Sequence, residues 1–247
     1  MASGGAKILS GKAALITGGS RGIGRAVAAA YAQAGAEVFI CGRDERGVAA
    51  ALREIAEAGG SIDGAAGDVG NRADAERLVW AALERFGRVD VLVNNASILG
   101  PRQELADYPI GAWEEVLRIN LTGIFLITRA VLPGMIARHA GSIINVTSGV
   151  GRRGKARWGA YAVSKAGLEG FTQVLSDEVR EAGIRVNCVN PSATRTRMRA
   201  AAYPAEDPQT LPTPEQVVPL FLYLASDASE DVTGQSLEAR EWLGRDI

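Results

Sequence analysis

Short apolar runs rich in β-branched residues alternate with longer amphipathic stretches along most of the chain. The short runs are typical of buried parallel strands, and the longer stretches are typical of helices that cover them. The pattern predicts strands over 13–17, 38–41, 89–93, 142–147 and 185–189, and helices over 24–34, 45–58, 73–86, 113–138 and 161–181. It therefore predicts an α/β fold, a doubly wound parallel sheet with helices on both faces, as a single domain over residues 1–247.

The alternation stops near the C-terminal end. The stretch 200–214 contains four prolines and predicts a surface excursion after the strand at 185–189. A last helix is predicted from Pro214 to about Ser226.

Composition restricts the possible functions. The 247 residues carry a net charge of −1, which argues against a nucleic-acid or anionic-membrane surface. No apolar run approaches the roughly 18 residues of a spanning helix, and the first ten residues lack the apolar core of a secretory signal. We therefore expect a cytoplasmic protein without a metal site. Cys41 and Cys188 lie in predicted strands, which favours buried free thiols over a disulfide.

A glycine-rich turn follows the first predicted strand, and a helix begins at once. It reads Gly18-Gly19-Ser20-Arg21-Gly22-Ile23-Gly24. Glycines let a backbone approach a ligand closely, and a helix N-terminus attracts a pyrophosphate. The turn therefore predicts a dinucleotide-binding loop, although a purely structural turn has the same pattern.

The end of the second strand indicates which dinucleotide binds. Gly42 offers no carboxylate to a ribose 2′-hydroxyl, whereas Arg43 can bind a 2′-phosphate with its planar fork, and Arg21 can add a second cation. Asp44 is the alternative ribose partner, but it also suits the cap of the helix that begins at Glu45. We expect NADP(H) in preference to NAD(H).

Candidate catalytic residues follow the strands at 89–93 and 142–147. Tyr161 and Lys165 are four residues apart, so they share one helix face, where an ammonium favours ionisation of a phenol. Ser148 follows the strand at 142–147, at the edge where open α/β folds bind ligands. Asn120 interrupts an apolar helical run, and Asn95 lies just after the strand at 89–93. A buried amide requires a partner or a role.

In combination these motifs resemble the short-chain dehydrogenase/reductase superfamily, in its compact single-domain branch with a Rossmann fold. The chain is similar to members such as 3-oxoacyl-[acyl-carrier-protein] reductases. The resemblance covers residues 12 to about 236. It rests on the glycine loop 18–24, Asp68-Val69, Asn94-Asn95-Ala96, Asn120, Ser148, Tyr161-x3-Lys165 and the stretch from Pro191 to Thr196.

The resemblance implies a role for each catalytic candidate. Tyr161 is expected to be the general acid–base, and Lys165 to bind the nicotinamide ribose and lower the pKa of Tyr161. Ser148 is expected to polarise the substrate carbonyl, and Asn120 to hold a water that links Lys165 to solvent.

The resemblance also implies the cofactor contacts. Asp68 and Val69 are expected at the adenine, Asn95 and Ala96 at the ribose, and the loop with Pro191, Thr194 and Thr196 at the carboxamide and pyrophosphate. The loop residues Gly18, Ser20, Arg21, Gly22, Ile23 and Gly24 are expected at the phosphates. The segment at about 197–213 is expected to cover the substrate.

The chain departs from the family pattern in two places. Ser97 and Ser192 stand where the family usually has glycine, so we expect a different shape in the loop at Ser192, which restricts positive φ. The tail over 233–247 also differs, which leaves a homodimer and a homotetramer both open. Association is expected through the long helices 113–138 and 161–181.

Three functions are compatible with these features. The first is an NADPH-dependent ketoreductase acting on a 3-oxoacyl thioester or a small ketone. The second is an NAD(P)-dependent dehydrogenase of a sugar or secondary alcohol, and the third is a non-catalytic nucleotide-sensing protein.

The loop before Tyr161 carries four cations, Arg152, Arg153, Lys155 and Arg157. These cations either recognise an anionic substrate or belong to a solvated loop with Trp158 packed on a helix. His139 follows a helix end and is interpreted as a surface or capping residue.

Overall fold

The computed structural model describes residues 7–245 and residue 247. Over these residues the strands are β1 (Ala13–Thr17), β2 (Glu37–Gly42), β3 (Ile62–Ala66), β4 (Val91–Asn94), β5 (Gly141–Val146), β6 (Ile184–Asn190) and β7 (Ser236–Glu238). They form one sheet in the order β3-β2-β1-β4-β5-β6-β7, and every neighbouring pair is parallel. The predicted doubly wound α/β fold is confirmed.

The helices are α1 (Gly22–Gln33), α2 (Glu45–Glu57), α3 (Arg72–Phe86), α4 (Ile110–Leu117), α5 (Gly123–Arg138), α6 (Gly149–Arg152), α7 (Gly159–Glu178), α8 (Arg197–Ala202) and α9 (Val218–Ala225). The pattern missed α8, which begins just before the proline-rich excursion and ends within it. It also gave no bounds for β3, because the sequence Ile-Asp-Gly-Ala-Ala is only weakly apolar. β7 has three residues and lies within the tail that departs from the family pattern.

An apolar core lies on each face of the sheet. On one face α1 and α9 meet through Val27, Tyr31 and Phe221, and the Tyr31 hydroxyl donates to the carbonyl oxygen of Phe221 at 2.8 Å. On the other face α3, α5 and α7 meet through side chains such as Leu78 and Ile127. Burial on both faces explains the continuous apolar runs of the central strands.

The helical stretch over 110–138 bears on the expectation that no apolar run is long enough to span a membrane. Among the described residues it is long and apolar enough to cross a membrane, by length and composition alone. This stretch does not appear as one uninterrupted apolar run in the sequence, because Arg118 and Arg129 lie within it. The observation is weak, because a core helix passes the same test, and Ile127 and Val131 of this stretch pack in the second core.

The predictions for the two cysteines and for His139 are also confirmed. Cys41 and Cys188 are free and buried, as expected. Burial raises the pKa of each thiol to about 12, so neither is a reactive thiolate at neutral pH. His139 caps the C-terminal end of α5 with a left-handed backbone at φ +52°, which confirms the capping interpretation.

Candidate active site

The glycine turn lies at the carboxyl ends of β1 and β4, where the strand order reverses and open α/β sheets bind ligands. Gly18 has φ +66°, and a Cβ there would lie 2.9 Å from the Cα of Ala96. A Cβ at Gly24 would lie 2.3 Å from the carbonyl oxygen of Gly18. α1 begins after Arg21 without a side-chain cap, so the N–H groups of its first turn suit a phosphate.

Asn95 holds this turn in shape. Its Nδ2 donates to the carbonyl oxygens of Thr17 at 3.0 Å and Gly18 at 3.1 Å. In return, the Thr17 hydroxyl accepts from the backbone N–H groups of Asn95 and Ala96, both at 3.0 Å. β1 and β4 are thus tied together at the crevice. Asn95 was singled out from the sequence as an amide that requires a partner or a role, whereas Thr17 was missed.

Charged side chains surround the predicted adenine end. Arg43 is half exposed and lies 3.7 Å from the carboxylate of Glu115 on α4. Arg118 pairs with both Glu115 and Asp68 at 2.7 Å. Partial burial opposes ionisation of Asp68, but the Arg118 guanidinium and the Gly70 N–H hold its pKa below the ordinary value. The structure therefore brings the predicted Arg43 and Asp68 into one charge network.

Asp44 corrects one detail of the prediction. It occupies the N-cap position of α2, and its carbonyl oxygen accepts from Val48 N–H at 2.9 Å. Its carboxylate, however, makes no capping hydrogen bond. The prediction that Asp44 occupies the cap position of α2 is therefore confirmed, but its side chain does not supply the capping hydrogen bond.

Ser148, Tyr161 and Lys165 come together at the end of β5. Ser148 precedes α6 with an extended backbone, and its side chain lies near enough to Tyr161, on the first turn of α7, to favour the ionised phenol. α6 approaches α7 closely through Gly151, where a Cβ would lie 2.7 Å from the carbonyl carbon of Lys165. The Lys165 Nζ donates to the carbonyl oxygen of Val146 at 2.8 Å and lies 5.6 Å from the Tyr161 ring centroid.

Burial dominates the electrostatics of the pair. Burial raises the pKa of Tyr161 to about 12, although the nearby Ser148 side chain favours the phenolate. Burial also lowers the pKa of Lys165 to about 8. The expected lowering of the Tyr161 pKa by Lys165 is therefore wrong for this structure, because the phenol is desolvated and the ammonium is directed to Val146.

Asn120 is fully buried in a π-helical turn over 118–122, between α4 and α5. Its Oδ1 accepts from the Ile98 N–H at 2.9 Å, and its Nδ2 donates to the Ile98 carbonyl oxygen at 2.9 Å and to Ser164 Oγ at 3.2 Å. The predicted dedicated partner is thus the loop after β4. Single π-helical turns occur often at functional sites.

The loop after β6 faces the glycine turn. A Cβ at Gly22 would lie 3.7 Å from the methyl group of Thr196, which also caps α8. Thr194 is buried, and its hydroxyl donates to the Pro191 carbonyl oxygen at 2.9 Å. Ser192 adopts φ +58°. The expectation of a differently shaped loop is wrong at this residue, because serine takes the left-handed backbone that glycine usually supplies.

Aromatic and cationic side chains pack together beside Tyr161. The Arg102 guanidinium lies 4.4 Å from the Trp158 ring centroid and 5.2 Å from that of Tyr203. Arg102 also donates to the carbonyl oxygens of Ala202 at 2.7 Å and Arg157 at 3.1 Å. Trp158 is buried and packs on Tyr161, with ring centroids 5.6 Å apart. We call Arg102, Trp158 and Tyr203 the lid cluster; sequence reasoning missed Arg102 and Tyr203.

Two of the four cations in the loop before Tyr161 are already engaged. Arg152 pairs with Glu238, and the Lys155 Nζ lies 3.3 Å from the Tyr203 hydroxyl. The packing of Trp158 agrees with the alternative of a loop held by that side chain. Recognition of an anion by all four cations is therefore not supported.

Internal hydrogen bonds stabilise the segment over 195–208. Arg199 forms two hydrogen bonds of 2.6 Å to the Glu206 carboxylate, and Arg195 donates to the Pro208 carbonyl oxygen at 2.8 Å. Together with the bond from Arg102 to Ala202, these contacts hold α8 against the loop that carries Trp158. A metal site is not evident: no group of three or more His, Cys, Asp or Glu side chains among the described residues could hold an ion.

Comparisons with known proteins agree with this geometry. The family model of the short chain dehydrogenases matches residues 12–207. The chain is 39% identical over 238 residues to the uncharacterized oxidoreductase YciK of Escherichia coli K12, covering 94% of this chain and 93% of that protein. It is 37% identical over 237 residues to the 3-oxoacyl-[acyl-carrier-protein] reductase FabG of Vibrio cholerae, covering 93% and 96% of the two chains.

A similar solved structure is that of an Escherichia coli CFT073 protein, classed as a short chain dehydrogenase and complexed with NADPH. It superimposes with a TM-score of 0.91 at 38% identity and covers 96% of this chain and 99% of that one. The chain therefore belongs to the short chain dehydrogenase family, and the predicted resemblance is confirmed.

Proposed function

We propose that the protein is an NADP(H)-dependent oxidoreductase that acts as a ketoreductase. The observation that carries this proposal is the convergence of Ser148, Tyr161 and Lys165 at the crevice beside a glycine turn built for a phosphate. The names of the related reductases support the same reaction class. The proposal includes one domain over the whole chain and a cytoplasmic location.

The residues around the crevice fit a dinucleotide. The glycine turn and the uncapped start of α1 would hold the pyrophosphate, Arg43 and Asp68 the adenosine half, and Asn95, Ala96 and the loop after β6 the nicotinamide half. The bound nicotinamide would supply or accept a hydride. Solved neighbours complexed with NADPH or NADP support the choice of NADP(H).

The chain's own side chains handle the proton. Ser148 is placed to donate a hydrogen bond to the substrate oxygen, which polarises the carbonyl. Tyr161 stays protonated at neutral pH because burial raises its pKa to about 12, so it has a proton to give to that oxygen. Lys165 is buried beside Tyr161, with its Nζ 5.6 Å from the ring centroid, and would bind the nicotinamide ribose.

A 3-oxoacyl thioester or a small ketone is the proposed substrate. The related 3-oxoacyl-[acyl-carrier-protein] reductases support this choice. The segment 197–213 is proposed to cover the substrate, because the lid cluster seals α8 over Tyr161.

The test is to titrate NADPH and NADH separately by fluorescence. Arg43→Ala should weaken NADPH binding by about ten- to a hundredfold, the range of a lost charge-assisted hydrogen bond, and leave NADH binding unchanged. Arg53→Ala, which removes an exposed arginine of α2, is the matched control. Equal binding of both cofactors in the wild type would contradict the choice of NADP(H).

The same proposal includes a homodimer or homotetramer that uses α5 and α7. The exposed apolar residues Phe125 and Ile136 are eleven positions apart on α5, and Val163 and Val174 have the same spacing on α7. Eleven residues are close to three helical turns, so each pair shares one face. Phe125→Lys should shift the protein to a monomer in sedimentation experiments.

A further inference from the structure

Glu238, the last residue of β7, connects two loops that flank the proposed cofactor site. Its Oε2 accepts hydrogen bonds from Asn190 Nδ2 at 2.9 Å and from Ser192 Oγ at 3.1 Å. The same carboxylate pairs with Arg152 at the end of α6. β7 places it there because Glu238 is the register partner of Asn190 in β6.

Ser192 needs this support. At φ +58° its backbone lies in the left-handed region, which is unfavourable for an L-residue with a Cβ. Two hydrogen bonds oppose the return to an ordinary conformation. The Ser192 N–H donates to Asn190 Oδ1 at 3.0 Å, and its hydroxyl donates to Glu238.

The conformation at Ser192 sets the path of the chain that follows. Pro191 accepts from Thr194, and Thr196 reaches the glycine turn two residues later. A change of backbone region at Ser192 would turn both threonines away from their present positions. The carboxylate therefore acts on this loop through Ser192.

We propose that Glu238 is a positioning residue for the nicotinamide half of the cofactor site. The two departures from the family pattern, Ser192 and the C-terminal tail, then compensate one another. Glycine needs no partner to adopt positive φ, whereas serine at the same position depends on a carboxylate that the tail supplies. The proposal rests on the proposed function for its ligand, but not for the contact between Glu238 and Ser192.

The first test compares NADPH with adenosine 2′,5′-bisphosphate, which carries only the adenosine half. Glu238→Ala should weaken NADPH binding by about five- to twentyfold, because a hydrogen bond to a charged group is lost. It should leave adenosine 2′,5′-bisphosphate binding within about twofold, since Arg43 and Asp68 lie at the other end. Glu241→Ala removes an exposed carboxylate of the same tail and should change neither. Equal weakening of both ligands by Glu238→Ala would overturn the proposal.

The second test is a double-mutant cycle with Ser192→Gly. In the wild type this change should alter NADPH binding by less than about twofold, because it exchanges a hydrogen bond for a relaxed backbone. In Glu238→Ala it should tighten NADPH binding by about threefold or more. An equal effect of Ser192→Gly in both backgrounds would overturn the proposal.

Hydrogen exchange of the ligand-free protein separates this proposal from the proposed function. Glu238→Ala should speed exchange over 191–196, and Ser192→Gly in that background should slow it again. If the wild type binds no NADPH, the proposed function fails, yet these exchange rates still support or overturn the contact. If the alanine variant does not fold, the cycle is run with Glu238→Met, which keeps the length of the side chain and accepts no such hydrogen bond from Ser192. Glu238→Gln, whose amide oxygen still accepts from Ser192, is the conservative control and should retain most of the NADPH affinity.

Discussion

At the cofactor end of the crevice, the backbone is held by residues close to the ends of two adjacent strands. Thr17 and Asn95 exchange hydrogen bonds with each other, and Asn95 also donates to the Gly18 carbonyl oxygen of the glycine turn. At the substrate end, Arg102 joins two loops and α8, which are distant from one another in the sequence. The first end depends on hydrogen bonds between side chains and backbone groups at two neighbouring strand ends, and the second depends on one side chain that stacks on two aromatic rings.

This difference suggests that the two ends respond independently to mutation. Damage at the cofactor end should appear in cofactor affinity, and damage at the lid cluster should appear in the KM for the carbonyl substrate. Tyr161 and Lys165 lie where the two ends meet and should affect the chemical step.

The largest effect is expected at that meeting point. Tyr161→Phe should lower kcat by about a hundredfold to ten-thousandfold, the usual contribution of a general acid, because the phenol proton is lost. NADPH affinity should stay within about twofold. Tyr203→Phe removes a phenol hydroxyl of the same kind from the lid cluster and serves as the control in steady-state assays. Retention of kcat in Tyr161→Phe would remove Tyr161 from the proposed chemistry.

Asn95→Ala is expected to have the next largest effect and to act on the cofactor end alone. It removes the hydrogen bonds to the carbonyl oxygens of Thr17 and Gly18, each worth about 1 kcal/mol, so NADPH binding should weaken by roughly tenfold. The KM of the ketone should not change. A rise in that KM without weaker NADPH binding would show that the two ends are coupled.

Arg102→Met is expected to act on the substrate end alone. It keeps a long side chain but removes the stacking on Trp158 and Tyr203, which is worth about 0.5–2 kcal/mol. The KM of the ketone should therefore change by about three- to tenfold, with NADPH affinity unchanged in fluorescence titrations. Arg102→Lys tests the planar fork, because it keeps the charge and loses the stacking. Unchanged kinetics in both variants would contradict the role of the lid cluster.

The smallest effect is expected from pH. Burial lowers the pKa of Lys165 to about 8, so the ammonium is lost from the folded protein above that pH. The kcat/KM for NADPH, which reports the free enzyme, should fall by several-fold between about pH 8 and 9.5. In Lys165→Arg this decline should disappear, because a guanidinium does not titrate there.

The lowered pKa of Lys165 also affects folding stability, which changes with pH in the opposite direction to kcat/KM. Between about pH 8 and the ordinary lysine value, the unfolded chain binds more protons at Lys165 than the folded protein does. The contribution of Lys165 to folding stability therefore increases with pH across that window. Urea unfolding at pH 7.5 and 9.5, with Lys165→Met as the reference, measures this contribution.

The sequence by itself determined the sheet, its parallel sense and most of the catalytic set. Apolar runs of the length of a strand, alternating with amphipathic helices, leave few topologies other than a doubly wound sheet. The glycine turn, Tyr161 and Lys165 are spaced within one turn or one helix, so their spacing in sequence fixes their spacing in space. The position of Asn95 was predictable for a different reason, because it follows an apolar strand and so lies at the carboxyl edge of the sheet.

Only the tertiary structure decided the lid cluster, the link between Glu238 and Ser192, and the pKa of Tyr161. Arg102 and Tyr203 are about a hundred residues apart, and Glu238 is 46 residues from Ser192, so no local pattern relates them. The helical spacing of Tyr161 and Lys165 suggested a lowered phenol pKa, yet burial by Trp158 and its neighbours reverses the direction. Desolvation depends on everything packed around a group, and that packing exists only after the chain has folded.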